Sequence, residues 1–295
     1  MKLADKTLEL LEQTLVEDQG NKYRHFLGIV IPHMADSYRQ DNDSFRSHLG
    51  ASQMGHECNR ALWYSFRWYV KPQFNGTTLL LFNRGHMEEG RLIALLLASG
   101  IGVYSQDSQG RQYKISYFGG HFGGSGDGIA KGLPEIPDGR DCLLEFKTHS
   151  DKSFKTLSQG IEKSHPMHYV QMQLYMGGMG LKYGLYLAVN KNTDELYGEI
   201  IEYNAFVDNR FIDRAEKIIF SAKAPERINE DPSWYQCKWC DFRDVCHKSL
   251  VPEMNCRTCC YSTPYPNGEW YCRFHEKSLD KTAQLKGCRD HDFIR

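Results

Sequence analysis

The residues best suited to chemistry lie between Gly124 and Lys147. Asp127 sits in a glycine-rich turn with Gly124, Gly126 and Gly128, and after a hairpin-like interval the apolar run Cys142-Leu143-Leu144 ends in Glu145-Phe146-Lys147. Two carboxylates can hold a hard divalent cation through oxygen. Such a cation polarises a phosphate and makes hydroxide available near neutral pH. A lysine beside it can orient the attacking water and offset charge developing on the phosphate. Together these groups suit phosphodiester hydrolysis. If residues 142–148 form a strand, Glu145 and Lys147 share one face and Phe146 points the other way, into the core. The Phe146 carbonyl would then be a further candidate ligand. The glycines around Asp127 let the backbone bend and a polymer approach closely. The same residues would also fit a hairpin with ordinary charged side chains, because an E-x-K triplet by itself is a short motif.

Downstream, His168-Tyr169-Val170-Gln171-Met172-Gln173-Leu174-Tyr175 places Gln171 and Tyr175 four apart, on one helix face. Read alone, Tyr175 fits a core aromatic. The ordered set Gly124–Asp127, Glu145–Lys147 and Gln171–Tyr175 resembles the G-x-x-D, E-x-K and Q-x-x-x-Y motifs of the PD-(D/E)XK nuclease superfamily, and within it the RecB-like exonucleases. The resemblance implies that Asp127 and Glu145 bind metal, that Lys147 acts on the water, and that Gln171 and Tyr175 hold substrate and the lysine. The family carries an upstream Gly followed four residues later by His or Glu. Gly85 and Glu89 match that interval, so Glu89 is the third expected ligand, with His86 and Glu88 as substitutes. Glu88 also fits a solvated helix start.

Ten cysteines form the second signal. Cys237, Cys240 and Cys246 follow a C-x2-C-x5-C spacing, and Cys58 stands far upstream. This set resembles the iron–sulfur staple of AddB-like and CRISPR-adaptation nucleases, which implies a [4Fe–4S] cluster. Four thiolates would also suit zinc. The tail offers Cys256-x2-Cys259, Cys272-x2-His275 and Cys288-x2-His291. Structural zinc takes four sulfur or nitrogen ligands. Cys256, Cys259, Cys272 and Cys288 are the favoured set, His275 or His291 can substitute, and Cys260 reads as a bystander. A tail of about 40 residues has little core of its own, so a metal would staple it. A disulfide framework fits poorly, because a chain expected in the cytosol with C-x-x-C pairs more often binds metal. Cys142, mid-strand, reads as a small buried hydrophobe.

The elements that must position these residues can be read from periodicity. We expect a polar helical region over residues 1–50 broken at Pro32, a nuclease core over 51–250 carrying the iron–sulfur cysteines, and a zinc-binding tail over 251–295. Within the core, helices are expected over 59–68, 79–99, 153–163, 167–179 and 207–222, and strands over 112–118, 126–131, 142–148, 184–190 and 196–203. The expected fold is α/β: a restriction-endonuclease-like core with a central mixed β-sheet flanked by helices.

Composition agrees with a globular chain. Hydrophobic residues make up 41% and charged residues 25% of the 295, with a net charge of −1. Near-neutral charge runs against the basic excess common in nucleic-acid binders. A local basic channel of Arg60, Arg67, Lys71, Arg84, Lys152 and Lys155 would resolve this, with Trp63, Trp68 and Tyr69 available to stack on bases. Trp63 equally fits the core. The polar N-terminus does not read as a signal peptide, and the longest apolar run is too short to cross a bilayer. The chain is therefore expected in the cytoplasm, that of the host if it is phage-encoded.

The resemblance thus implies a Mg²⁺- or Mn²⁺-dependent DNA exonuclease. The Leu49–Cys58 and Leu62–Trp68 segments and the cysteine-rich tail resemble bacteriophage-encoded members, which would imply work in recombination, replication or DNA processing, beside a partner protein in one of them. An endonuclease of the same fold, and a non-cutting iron–sulfur and zinc DNA-binding module, are the alternatives. With no G-x4-G-K-[ST] loop in the sequence, helicase work would have to come from a partner.

Overall fold

Eight residues, Tyr183–Asn190, are buried without interruption, as a strand covered on both faces must be. This strand runs parallel to Cys142–His149, with Glu145 opposite Tyr186 and Lys147 opposite Ala188. Parallel neighbours need a long crossover. Here it is helical: Asp151–Thr156, Ile161–Ser164 and Pro166–Met179. The computed structural model describes residues 1–34, 45–107 and 109–294. The chain divides into two compact units, the first comprising Met1–Arg39, Phe74–Ile115 and Ser125–Asp208, the second Gln40–Gln73, Ser116–Gly124 and Asn209–Arg295.

The first unit is built on a six-stranded mixed sheet. Lys2–Leu3, Leu196–Glu202, Tyr183–Asn190, Cys142–His149, Gly128–Lys131 and Gly102–Tyr104 lie side by side in that order. All neighbours are antiparallel except the central pair. Leu144, Phe146, Leu185 and Leu187 share one core with Leu92, Ile93 and Leu96 of the long helix Gly76–Ala98. Asn75 caps that helix by accepting from the Thr78 N–H at 2.9 Å. The helix Pro166–Met179 packs where Gly184 removes a side chain: a Cβ there would lie 2.7 Å from Met172 Cε.

Several expectations are corrected in detail. The expected helix over 153–163 is two pieces, parted at Gly160, whose φ of +79° no helix continues through. The N-terminal region contributes an edge strand, Lys2–Leu3, before helices Asp5–Glu17 and Asn21–Val30. Its expected continuation through 35–44 lies outside the described residues.

The second unit has little regular structure. Asn59–Phe66 is an eight-residue helix, and Leu49–Gly50 pairs in parallel with Phe122–Gly123. Ser262–Pro264, Trp270–Cys272 and Lys277–Leu279 form a small antiparallel sheet. Arg257 and Arg67, each 2% exposed, lie in its interior against aromatic rings: Arg257 over Phe66, Trp68 and Trp270, Arg67 over Trp63 and Trp270. Their guanidinium groups donate to backbone carbonyls, Arg257 to Phe66 and Ser47, Arg67 to Arg257 and Ser262. The expected basic channel is therefore corrected here. Arg67, Trp63, Trp68 and Tyr69 are core, because these rings and the arginine bury one another. Among the described residues, no helix is long and apolar enough to cross a membrane.

Candidate active site and cysteine clusters

Glu145 and Lys147 stand two apart on the strand Cys142–His149 and are ion-paired with each other. Glu145 is fully buried, and its Oε2 has no hydrogen-bond partner among the described residues. Phe146 points away into the core, 5% exposed, and its N–H donates to Asp127 Oδ2 at 2.7 Å. One backbone amide thus ties the glycine-rich turn to the strand. Asp127 sits just before the strand Gly128–Lys131, which pairs with Leu144, Leu143 and Cys142.

Glu89 reaches the same place from the long helix. Burial, and then the negative charge of Asp127, push its carboxyl up from the ordinary 4.5 to about 8. Burial likewise raises Glu145 to about 7, with Asp127 adding to it and Lys147 opposing. Asp127 is raised too, mainly by burial, against Lys147, the Phe146 N–H and His86. Burial disfavours the Lys147 ammonium, yet Glu145 and Asp127 hold its pKa above the ordinary value. Three crowded carboxylates and one cation leave negative charge uncompensated, and an orphaned carboxylate oxygen sits among them. Oxygen donors of this kind fit a hard divalent cation. Their oxygens do not all approach within 4.8 Å of one another, so bound water would complete the set, as is usual for Mg²⁺.

Neighbouring Glu88 also lines the cavity above this group, but it is 8% exposed and bonded to Arg91 at 2.8 Å, so it is not solvated and its charge is matched. His86 lies 3.6 Å from Glu89 and its Nε2 is buried without a partner among the described residues. Gln171, 7% exposed, faces Glu145 and favours its charged form. Tyr175, 3% exposed, packs beside Gly126. A cavity of about 440 Å³ opens over this group, lined by His86, Glu89, Lys147, His149 and His168, with Leu81 and Phe82 at its side. Sequence reading missed His149, and quoted His168 only as part of the segment that carries Gln171 and Tyr175. The alternation that pairs Glu145 with Lys147 also puts His149 on that face, and a step of three puts His168 on the face of Gln171.

Cys58, Cys237, Cys240 and Cys246 line one small cavity. Cys58 caps the helix Asn59–Phe66, its Sγ accepting from the Ala61 N–H at 3.4 Å. Burial raises the thiol pKa of Cys237 and Cys240, and Cys58 and Cys246 raise both further. Thiolates crowded this way repel until a cation lies among them, and sulfur suits iron or zinc.

In the tail, Cys256, Cys259, Cys272, His275 and Cys288 line a second cavity, of about 400 Å³. Burial, then Cys288, Cys259 and Cys272, push the Cys256 thiol up to about 11. The four thiols are not all within 4.8 Å of one another. Among the described residues, only His275, Cys288 and Asp290 bring three ligand atoms that close. Asp290, at 3.3 Å from His275 Nε2, was not foreseen. His291 uses Nε2 on the Asn255 carbonyl at 3.1 Å, and the Cys260 Sγ lies 3.8 Å from Asp292.

No family model matches this chain, and no curated protein does. Among solved structures it is similar to LHK-Exo, an alkaline exonuclease from Laribacter hongkongensis, with a TM-score of 0.39 and 16% identity over 58% of this chain and 86% of that one. The complex of LHK-Exo with dAMP gives a TM-score of 0.43 at 16% identity, with the same coverage. A protein titled SSO0001 gives 0.43 at 15% identity, over 80% of this chain and 98% of that one.

Proposed function

We propose that this protein is a metal-dependent deoxyribonuclease of the RecB-like PD-(D/E)XK type, acting as an exonuclease. The observation that carries the reading is the convergence of Glu89, Asp127, Glu145 and Lys147, from a helix, a turn and a strand, on one another's charges, with Glu89 and Lys147 lining a cavity and a Glu145 oxygen buried and unpartnered among the described residues. Glu89, Asp127 and Glu145 would hold Mg²⁺ or Mn²⁺. Bound there, the cation supplies Lewis-acid polarisation of a phosphate and lowers the pKa of water. Lys147 neutralises charge growing on the phosphate oxygens. Gln171 holds Glu145 in its charged orientation, and Tyr175 supports the turn that carries Asp127.

In the same reading Cys58, Cys237, Cys240 and Cys246 hold a [4Fe–4S] cluster, and Cys256, Cys259, Cys272 and Cys288 a structural zinc, with His275 able to replace one thiolate. The functional divisions are then 1–50, 51–250 and 251–295. DNA is the substrate. A phage role in recombination or replication, in the host cytoplasm and beside a partner protein, rests on the resemblance of the motifs.

The test is cleavage of end-labelled linear DNA with Mg²⁺ or Mn²⁺, using anaerobically purified protein beside Glu145→Ala. Label loss that depends on metal and vanishes in the variant is expected. Cutting of closed circular DNA would make the enzyme an endonuclease, and no cleavage of any single- or double-stranded DNA would favour a non-cutting binding module.

A further inference from the structure

His149 and His168 both line the cavity beside Lys147, and they are connected. The Tyr186 hydroxyl lies 2.9 Å from His168 Nδ1 and 2.7 Å from His149 Nε2. On the far side, His149 Nδ1 is 2.8 Å from Ser153 Oγ, which is 3.0 Å from His165 Nε2. His165 Nδ1 is 2.9 Å from Ser164 Oγ, and that hydroxyl donates to the Gly160 carbonyl at 2.8 Å. Every contact is of ordinary hydrogen-bond length.

The last bond fixes all the others. A carbonyl only accepts, so Ser164 spends its one proton there and must accept from His165 Nδ1–H. A neutral imidazole carries one N–H, so His165 Nε2 is a lone pair and accepts from Ser153. Ser153 then accepts from His149 Nδ1–H, and His149 Nε2 accepts from Tyr186. Tyr186 accepts from His168 Nδ1–H. What remains is a lone pair on His168 Nε2, which makes no hydrogen bond among the described residues.

The surroundings keep the rings neutral, as this accounting requires. Burial first, then Lys147, His165 and His149, push His168 down to about 3. Burial, His165 and Lys147 push His149 down to about 4. His165 is lowered by burial alone and is free of the Lys147 field. A positive charge is therefore least unfavourable at His165.

Building on the nuclease reading, we propose that His168 Nε2 is the proton acceptor of the cleavage cavity, and that Tyr186, His149 and Ser153 relay the accepted proton to His165. The O–H bond of the attacking water breaks and its proton joins His168 Nε2. The freed electron pair forms the new O–P bond. The P–O bond to the departing sugar breaks, and that oxygen takes a proton from solvent. His168 Nδ1–H passes to Tyr186, Tyr186 O–H to His149, His149 Nδ1–H to Ser153, and Ser153 O–H to His165 Nε2, leaving His165 as the imidazolium. His165 then loses that proton to solvent; His168 and His149 are left as Nε2–H tautomers, and each gives up its Nε2 proton and takes one at Nδ1 by exchange with water, the Tyr186 and Ser153 hydroxyls turning back, before the next cycle.

The test has a readout independent of cleavage. Long-range ¹H–¹⁵N correlation NMR on the full ¹⁵N-labelled chain reports each imidazole tautomer, with His149→Gln, His165→Gln and His168→Gln supplying assignments. All three rings are expected as Nδ1–H tautomers near neutral pH. An Nε2–H tautomer at His168 overturns the proposal even if the wild type cuts DNA. Tyr186→Phe breaks the relay without removing the ring. We expect it to lower kcat about a hundredfold with KM unchanged, and His168→Ala to regain part of its activity with added imidazole. Full kcat in Tyr186→Phe overturns the relay. The expected tautomers in a wild type that cuts no DNA would overturn the nuclease reading, and with it the assigned step, while the polarity of the chain stands.

Discussion

The carboxylate site and the cysteine clusters use opposite means of holding their ligands in place. Glu145 and Lys147 are fixed by a strand in a six-stranded sheet, paired along one side with Tyr183–Asn190 and with Leu144 and Phe146 in the core. The four candidate cluster thiols stand on an N-cap, two helices of four and five residues, and the turn between them. The tail adds a one-turn 3₁₀ segment and three-residue strands. Where the sheet supplies the geometry, a metal can come and go. Where the thiols stand on short segments, a bound metal would itself hold those segments together. The first arrangement suits exchangeable catalysis, the second permanent stapling.

Removing the staples should have the largest effect. Structural metal is worth roughly 10 kcal/mol in small domains. Cys237→Ser or chelation should therefore open the 209–295 region to protease while the hydrogen-exchange protection of Tyr183–Asn190 persists. Protease resistance in metal-free protein would break the contrast. Next comes the catalytic loss. Glu145→Ala and Glu89→Gln should each slow DNA cleavage about 10²–10³-fold, with melting temperature held in Glu89→Gln and lowered in Glu145→Ala, which leaves the buried Lys147 ammonium without its ion-pair partner.

Gly119→Ala sharpens the comparison from within the second unit. At φ +64°, a Cβ would meet the backbone of Asn267 and Gly268, which cannot swing aside. A loss of about 1–3 kcal/mol in chemical denaturation is expected. The pH dependence follows from Glu89, which gives up its proton near the ordinary 4.5 when unfolded and only at about 8 when folded. Between those values the folded state binds more protons, so metal-free stability is full below the lower value and falls as pH rises through the upper one. Mg²⁺ needs the ionised form. Its affinity, measured by calorimetry, should rise by up to about tenfold per pH unit between 7 and 8, and more steeply below 7, where Glu145 must ionise as well. The smallest effect belongs to Glu88→Gln. Glu88 serves Arg91, itself partly exposed, so cleavage should be unchanged and stability lowered by no more than about 1 kcal/mol.

Much of the site could be read from types and spacing. Alternation placed Glu145 and Lys147 together with Phe146 opposed, and a step of four aligned Gln171 with Tyr175. What periodicity could not reveal was the use of a residue by a distant partner. Arg67, Trp63 and Trp68 looked like a nucleic-acid channel, yet cations beside aromatics also describe a buried stack, and only the position of Arg257 decides between them. Glu88 and Glu89 are chemically identical neighbours. Helical rotation of 100° per residue sends one to Arg91 and the other to Asp127.

The sequence by itself determined the local periods, and with them which carboxylates, thiols and amide could act together, because side-chain direction along a strand or helix follows from backbone geometry alone. Tertiary structure alone decided the rest. The Phe146 amide ties down Asp127 from 19 residues away, and the Tyr186 hydroxyl joins His149 and His168 from 37 and 18 residues away. Such contacts depend on how the sheet and helices pack, and no local pattern encodes that.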